Sequence, residues 1–227
     1  RCYWLKVYEI PQAGRATKGK PIVNLINVSP DTQIQAMVFV REFKDDEFLL
    51  FCTRNGTVKK TRLSEYSNVR TVGIKAIKVE AGDELIEVAV TSGNNDVVIA
   101  TRHGLSIRFH EADAREMGRD TTGVKGIELG EGDRVVGMVV IKREATLLCV
   151  TEKGLGKCTH IDEYRVQRRG GKGILTVNRT EKTGDVVGLM EVLPEDEIMI
   201  ITRGGMIIRS PVSQVRVAGR NTQGVKL

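Results

Sequence analysis

Phe48-Leu49-Leu50-Phe51-Cys52-Thr53-Arg54-Asn55-Gly56 is an apolar run that ends in a Thr-x-x-Gly turn, and the chain writes the same sentence three more times. The copies are Val97-Val98-Ile99-Ala100-Thr101-Arg102-His103-Gly104, Leu147-Leu148-Cys149-Val150-Thr151-Glu152-Lys153-Gly154 and Ile198-Met199-Ile200-Ile201-Thr202-Arg203-Gly204-Gly205. The period is about 50 residues, in the range of architectures that repeat one supersecondary unit. A second marker follows each run: Gly73-Ile74-Lys75, Gly123-Val124-Lys125, Gly170-Gly171-Lys172-Gly173-Ile174 and Gly224-Val225-Lys226, with Gly19-Lys20-Pro21-Ile22 as the upstream counterpart. A third, a Gly-Asp turn before an apolar segment, stands at Gly82-Asp83, Gly132-Asp133 and Gly184-Asp185.

Within each unit the segments are short, rich in Val, Ile and Leu, and bounded by Gly, Asp or Asn, which predicts several strands and no long helix. At most a turn or two of helix is expected around Glu111 to Met117. The apolar runs are continuous instead of alternating, as suits strands covered on both faces when successive sheets stack. Composition and period together predict an all-β, propeller-like ring, one domain over residues 1–227 with units at approximately 1–46, 47–95, 96–144, 145–195 and 196–227. The first and last units look incomplete, and the start at Arg1 without a Met predicts a piece of a longer chain.

The chain has 41% hydrophobic and 28% charged residues, and its longest apolar runs are strand-sized, which argues against disorder and a helical membrane span. The N-terminus shows no secretory pattern, so a cytoplasmic setting is expected. Cys2, Cys52, Cys149 and Cys158 have no C-x-x-C spacing and predict reduced thiols rather than a zinc site. A net charge of +6 and a pI near 9.2 favour a polyanionic partner if the charge is gathered in one place.

It is gathered in the loops before the second marker. Arg165-Val166-Gln167-Arg168-Arg169-Gly170-Gly171-Lys172-Gly173 holds four cations and no acid. Arginine forks match phosphate oxygens, and glycine backbone N–H groups can approach an anion closely. The equivalent loops carry Arg15, Lys18 and Lys20; Arg70 and Lys75; Arg115, Arg119 and Lys125; and Arg216, Arg220 and Lys226. Read singly, each is a solvated turn charge. Read together on one rim of a ring, they make a curved basic track for nucleic acid. Aromatic residues are only 4%, and Phe48, Phe51, Phe109, Tyr66 and Tyr164 fall mainly in strand-like runs, so a stacking platform for single strands is not expected. Duplex DNA read by phosphate geometry and bendability is the expected ligand.

Catalytic signals are weak. Gly14-Arg15-Ala16-Thr17-Lys18-Gly19-Lys20-Pro21 approaches a phosphate-binding loop, but Pro21 stands where a hydroxyl would hold magnesium. His103, His110 and His160 are isolated from one another, and the acids around Glu42 to Glu47 and Glu195 to Glu197 converge on nothing. No enzymatic activity, metal or cofactor is therefore expected of this segment. A protein-binding propeller lacks its sequence signatures, and a propeller hydrolase lacks a convergent catalytic set.

Gln167-Arg168-Arg169-Gly170-Gly171-Lys172-Gly173 resembles the signature heptapeptide, the "GyrA box", of the carboxy-terminal domain of DNA gyrase A. Asn55-Gly56-Thr57-Val58-Lys59-Lys60-Thr61, Leu129-Gly130-Glu131-Gly132-Asp133 and Gly219-Arg220-Asn221-Thr222-Gln223-Gly224-Val225 resemble the same family's repeats. The resemblance implies a β-pinwheel, a disc of about five to six blades of four-stranded antiparallel sheets that exchange strands. It implies that duplex DNA is bent and chirally wrapped on the rim so that the holoenzyme introduces negative supercoils. The heptapeptide would be the clamp, the rest of gyrase A and the gyrase B protein the partners, with ATP and magnesium used elsewhere. In the best-known members of the family the heptapeptide belongs to the first blade, whereas here it sits in the fourth of five recognisable units. A topoisomerase IV accessory domain, which shares the architecture, usually has a degraded heptapeptide.

Overall fold

The computed structural model describes residues 1–14 and 16–227; Arg15, one of the basic-loop residues, lies outside the described residues. Each of the four Thr-x-x-Gly turns closes a hairpin. The first joins β1 (Phe48–Thr53) to β2 (Thr57–Arg62), with Cys52 opposite Val58, and β3 (Leu85–Thr91) lies along the other edge of β1. The next repeat builds its hairpin from β4 (Asp96–Thr101) and β5 (Leu105–His110). Its second marker then forms β6 (Val124–Lys125), which does not join that hairpin. It crosses back to the preceding one, setting Val124 against Val58 and Lys125 against Thr57. The strand after it, β7 (Val135–Ile141), returns to pair with β4.

The exchange recurs. In the third hairpin, β8 (Thr146–Thr151) pairs with β9 (Leu155–His160); the marker that follows is β10 (Ile174–Leu175), and it lies on β5, while β11 (Val186–Val192) lies on β8. After the last hairpin, β12 (Glu197–Ile201) with β13 (Ile207–Pro211), β14 (Val225–Lys226) crosses to β9. The Gly73-Ile74 marker does the same with an isolated bridge from Ile74 to Cys2. The partners are thus Cys2 with Ile74, Val58 with Val124, Ser106 with Ile174 and Gly156 with Val225, one register used four times. Three four-stranded antiparallel sheets result, ordered β3-β1-β2-β6, β7-β4-β5-β10 and β11-β8-β9-β14, followed by the two-stranded β12-β13. Gly19-Lys20-Pro21-Ile22 forms no such strand. Ile22 instead opens a short 3-10 turn to Asn24, and among the described residues no hairpin edge receives this segment.

Stacking of these sheets explains the continuous apolar runs. Leu50 and Cys52 face Ile99, Ile107 and Phe109 in one core layer, while Leu49 and Phe51, on the opposite face of β1, meet Leu63, Tyr66 and Ile74. Val98 and Ala100 of β4 then pack toward Leu147, Cys149 and Tyr164, and Leu148 toward Ile198 and Val212. The first strand of each of these three hairpins, β1, β4 and β8, therefore needs apolar side chains on both faces. The fourth hairpin departs from that expectation. Among the described residues it has no flanking strands, and Met199, Ile201, Met206 and Ile207 stand exposed.

Among the described residues helix is limited to single 3-10 turns, and the stretch expected at Glu111 to Met117 shortens to Glu111–Asp113. Equivalent turns follow the second hairpin strand of other repeats at Leu63–Tyr66, Ile161–Glu163 and Val212–Gln214. Cys52, Cys149 and Cys158 are buried free thiols, and burial pushes the Cys149 thiol up to about 12. They behave as small hydrophobes in the strand layers.

Entry into each exchanged strand depends on a glycine. Gly173 has φ of 77°, and a side chain there would drive into the Ser106 carbonyl on which β10 lies. Gly188 in β11 has open space and no such backbone. Gly173→Ala is expected to destabilise the domain by about 2–4 kcal/mol in a denaturant titration, and Gly188→Ala to change it by less than about 1 kcal/mol.

Candidate nucleic-acid interface

Sheet order decides where the basic loops go. Strands β3, β7 and β11 form one edge of their sheets and lie side by side, so they occupy the inside of the ring. The exchanged strands β6, β10 and β14 form the opposite, outer edge. Each basic loop spans from the 3-10 turn of its own repeat to the exchanged strand in the preceding sheet, so it is stretched across the outer edge between two blades.

Three equivalent hydrogen bonds run from the segment five residues past each loop-closing glycine to the basic loop of the following repeat. Lys78 N donates to Thr121 O at 3.0 Å, Glu128 N to Gly171 O at 2.9 Å and Asn178 N to Thr222 O at 3.2 Å. The first half of each of the last three loops also runs parallel to the preceding hairpin, through bridges between Lys60 and Glu116, Arg108 and Val166, and Cys158 and Val217. Loops 67–73, 115–123, 165–173 and 216–224 are therefore neighbours in sequence of blades along one outer edge.

Two arginine positions shared by the last three loops have different duties. Arg115, Arg165 and Arg216, just after the 3-10 turn, are exposed. Arg119, Arg169 and Arg220 are half-buried and turned toward the blade behind. Arg169 donates from Nε to Asp113 O at 2.7 Å and from Nη1 to Lys125 O at 2.9 Å. Arg220 Nη1 donates to Leu175 O at 2.8 Å, the equivalent carbonyl one blade on. Arg119 Nε stands 3.9 Å from the Glu65 carboxylate. These guanidinium groups brace one blade against the next.

In the heptapeptide, Gln167 N donates to Arg108 O at 2.7 Å and Gly170 N to Gly126 O at 2.6 Å. The Gly170 N–H that the glycine-rich pattern offers to an anion is thus already used to dock the loop. Arg168 and Lys172 are exposed and, with Arg165, make no ion pair among the described residues. Gln167 Nε2 is buried without a partner among the described residues.

Charge is not uniform along the edge. Around loops 67–73 and 115–123 a cleft of about 520 Å³ is lined by Arg70, Lys75 and Arg119, but also by Glu65 and Asp120. Lys75 Nζ donates to Asp120 Oδ2 at 2.9 Å, and this bond holds the Asp120 carboxyl below its ordinary range. Arg62 grips Glu116 with two bonds of 2.8 Å and does the same to its carboxyl. Toward the heptapeptide and beyond, Lys125, Lys172, Arg216 and Lys226 are exposed, with no carboxylate partner among the described residues. Lys18 and Lys20 are exposed in coil that no serial loop bond reaches.

Two functional candidates escaped sequence reading. Lys59 and Lys157 are buried beneath the loops, and the signal that would have found them is a lysine three residues past the turn glycine. The aromatics of the strand-like runs face no bases: Phe51, Phe109, Tyr66 and Tyr164 are buried, and Phe48 is half-buried beneath Lys60 and Arg62, while Tyr8 and Phe39 stand exposed in the first unit. His110 caps a 3-10 turn by accepting from Ala112 N. Among the described residues no three metal-ligating side chains are grouped to hold an ion, and no helix is long and apolar enough to cross a membrane.

Comparison with known proteins gives these loops a context. The family model described as the DNA gyrase C-terminal domain, beta-propeller, matches residues 1–31, 47–92, 95–142, 145–192 and 196–227. The DNA gyrase A protein of Clostridium acetobutylicum is 51% identical over the whole chain, which covers 27% of that relative; its Escherichia coli K12 counterpart is 45% identical, with 26% covered. The chain thus spans about a quarter of the length of the curated relatives it matches. Among solved structures, the C-terminal domain of DNA topoisomerase IV superposes with a TM-score of 0.88 at 26% identity, over 97% of this chain and 69% of that one. A DNA gyrase A C-terminal domain superposes with a TM-score of 0.84 at 25% identity, over 93% and 71%.

The division between bracing and outward arginines is measurable without any ligand. Arg169→Ala is expected to lower unfolding free energy by about 1–2 kcal/mol because two backbone carbonyls lose a charged donor. Arg168→Ala is expected to stay within about 0.5 kcal/mol of the parent in the same urea titration.

Proposed function

The chain belongs to the DNA gyrase C-terminal domain family, and from that footing we propose that it binds, bends and chirally wraps double-stranded DNA around its outer edge. One observation carries the reading: each of the last three basic loops accepts a hydrogen bond from the segment just past the preceding exchanged strand or bridge, so the loops follow one another along one outer edge, with Arg115, Arg165, Arg168, Lys172 and Arg216 exposed along it. A stiff polyanion can follow such an edge. Smoothly bending about 20–30 base pairs costs roughly 1–6 kcal/mol, and release of counterions at each Lys or Arg contact offsets it. Because the contacts are to phosphates, binding depends on salt and DNA bendability far more than on base sequence.

The strongest hold is the unpaired charge of loop 165–173, and the loops with ion-paired cations guide the duplex more weakly. Within a full-length gyrase A protein, joined to gyrase B, this wrap delivers the following DNA segment to the cleavage gate, so that ATP-driven strand passage introduces negative supercoils. The domain itself breaks no bond and uses no cofactor; ATP and magnesium serve other parts of the holoenzyme. The cytoplasm, where the chromosome lies, is its place of work.

A second reading has its own support in the TM-score of 0.88 to the topoisomerase IV domain: an accessory domain that binds bent DNA without driving supercoiling. Reconstituting the full-length protein with its ATPase partner separates the two. Negative supercoiling of relaxed plasmid supports the first reading, and ATP-dependent relaxation alone supports the second.

Affinity for linear duplex is expected to fall steeply between low and moderate salt, as a multi-phosphate contact requires. The triple variant Arg165→Ala/Arg168→Ala/Lys172→Ala is expected to weaken binding to all sequences alike and to flatten the log–log salt slope by about 3. An unchanged slope would refute the assignment of this loop.

A further inference from the structure

Lys59 in β2 and Lys157 in β9 hold the same place in their hairpins, three residues past the turn glycine, and both are 0% exposed. Their side chains run outward under the basic loops of the following repeats. Lys59 Nζ donates to Ala76 O at 2.5 Å and to Arg119 O at 2.7 Å. Lys157 Nζ donates to Gly219 O at 2.5 Å and to Arg220 O at 2.6 Å. In the hairpin between them the place belongs to Ile107, and the heptapeptide lies over it, with Gly171 facing the Ile107 side chain. The loop with the full heptapeptide has no lysine beneath it, and its two neighbours, which lack the heptapeptide, each have one.

We propose that Lys59 and Lys157 are positioning residues for the duplex track, buried cations that hold loops 115–123 and 216–224 from below and place a positive charge under the DNA path. The proposal rests on the wrapping function above and adds to it. An ammonium brought out of water is tolerated only where dipoles replace the water, and here the carbonyls of the loop backbone do so. Those carbonyls belong to Arg119, Gly219 and Arg220, so each lysine orients the backbone of a bracing arginine.

The arrangement makes DNA binding depend on protons. Burial pulls both lysines down from an ordinary 10.5 to about 8. Glu65 and Asp120 favour the charged form of Lys59 and Arg119 opposes it, while the Phe51 ring lies 5.1 Å away and the Tyr66 hydroxyl shares the Ala76 carbonyl. Cys149 and Glu163 favour the charged form of Lys157 and Arg220 opposes it. A neutral amine still has two N–H donors for its two carbonyls. Losing the proton therefore keeps the tie and removes the charge. A polyanion laid over the loops favours the charged form, so DNA binding takes up protons, and by reciprocity affinity is full below about pH 8 and declines as pH rises through it. Fold stability has the opposite sign. The folded lysines bind fewer protons than unfolded ones between about pH 8 and 10.5, so these groups raise stability across that window, and loss of affinity there is not unfolding.

The test compares the full-length protein carrying this domain with its Lys59→Met/Lys157→Met variant, using a linear duplex at about pH 7 and about pH 9. Wild type is expected to lose about 3- to 10-fold in affinity over that range and to take up protons near pH 8, seen calorimetrically in buffers of different ionisation enthalpy. The variant is expected to bind about 3- to 10-fold more weakly at pH 7 and to lose the pH dependence and the uptake. Ile107 shows that an apolar side chain fits this place in a hairpin, and the proton-uptake measurement on wild type needs no variant. Binding by wild type without proton uptake would overturn this proposal alone, as would a variant that keeps the parental pH profile; absence of duplex binding at every pH would overturn the wrapping function with it.

Discussion

The structure depends on a two-residue strand. In each repeat a glycine admits the chain to the outer edge of the sheet before it, and two backbone positions there make the pairing that links blade to blade: Val124 on Val58, Ile174 on Ser106, Val225 on Gly156. Nothing else in the repeat so directly ties the position of one basic loop to that of the next. Because the crossing always ends at the edge opposite β3, β7 and β11, the loops have no freedom to appear on the inside of the ring. A convex line of loops is a consequence of how the sheets are completed.

The same crossing explains why Arg119, Arg169 and Arg220 are not free. Where a loop passes between two blades, carbonyls there must be satisfied: Arg169 and Arg220 reach those of Asp113, Lys125 and Leu175 in the blade behind, and Lys59 and Lys157 reach the loop carbonyls of Arg119, Gly219 and Arg220 from below. Cations in this molecule therefore form two populations. One is pinned to carbonyls and gives the edge its shape; the other, Arg115, Arg165, Arg168, Lys172 and Arg216, projects from that shape into solvent. Carboxylates such as Asp120 and Glu65 neutralise part of the edge and leave the charge concentrated toward the heptapeptide.

Much of the fold was legible because periodicity is written in residue types that have few structural uses. Continuous Val, Ile and Leu runs closed by a turn glycine read as doubly covered hairpin strands, and three of the four are. The identity of each loop as a basic, glycine-bearing element was equally plain. Side-chain direction was not, since Arg168 and Arg169 are indistinguishable in a string, yet one is exposed and the other reaches two carbonyls of the neighbouring blade. Lys59 and Lys157 were hidden for a related reason: a lysine in a strand reads as a solvent-facing residue until the loop of another repeat is placed over it. The apolar run of β12 looks like the other three, yet its side chains are partly exposed, because among the described residues no strand flanks β12 and β13, in keeping with a last unit that reads as incomplete.

Whether a duplex follows the convex edge is most directly seen by nuclease footprinting of a long linear DNA bound by the full-length protein. A path along one continuous edge leaves the outward face of the DNA open once per helical turn, so enhanced cleavage is expected at intervals of about 10 base pairs across the protected region. A single short footprint without that rhythm would mean that the basic loops do not act as one track, and the account would fail.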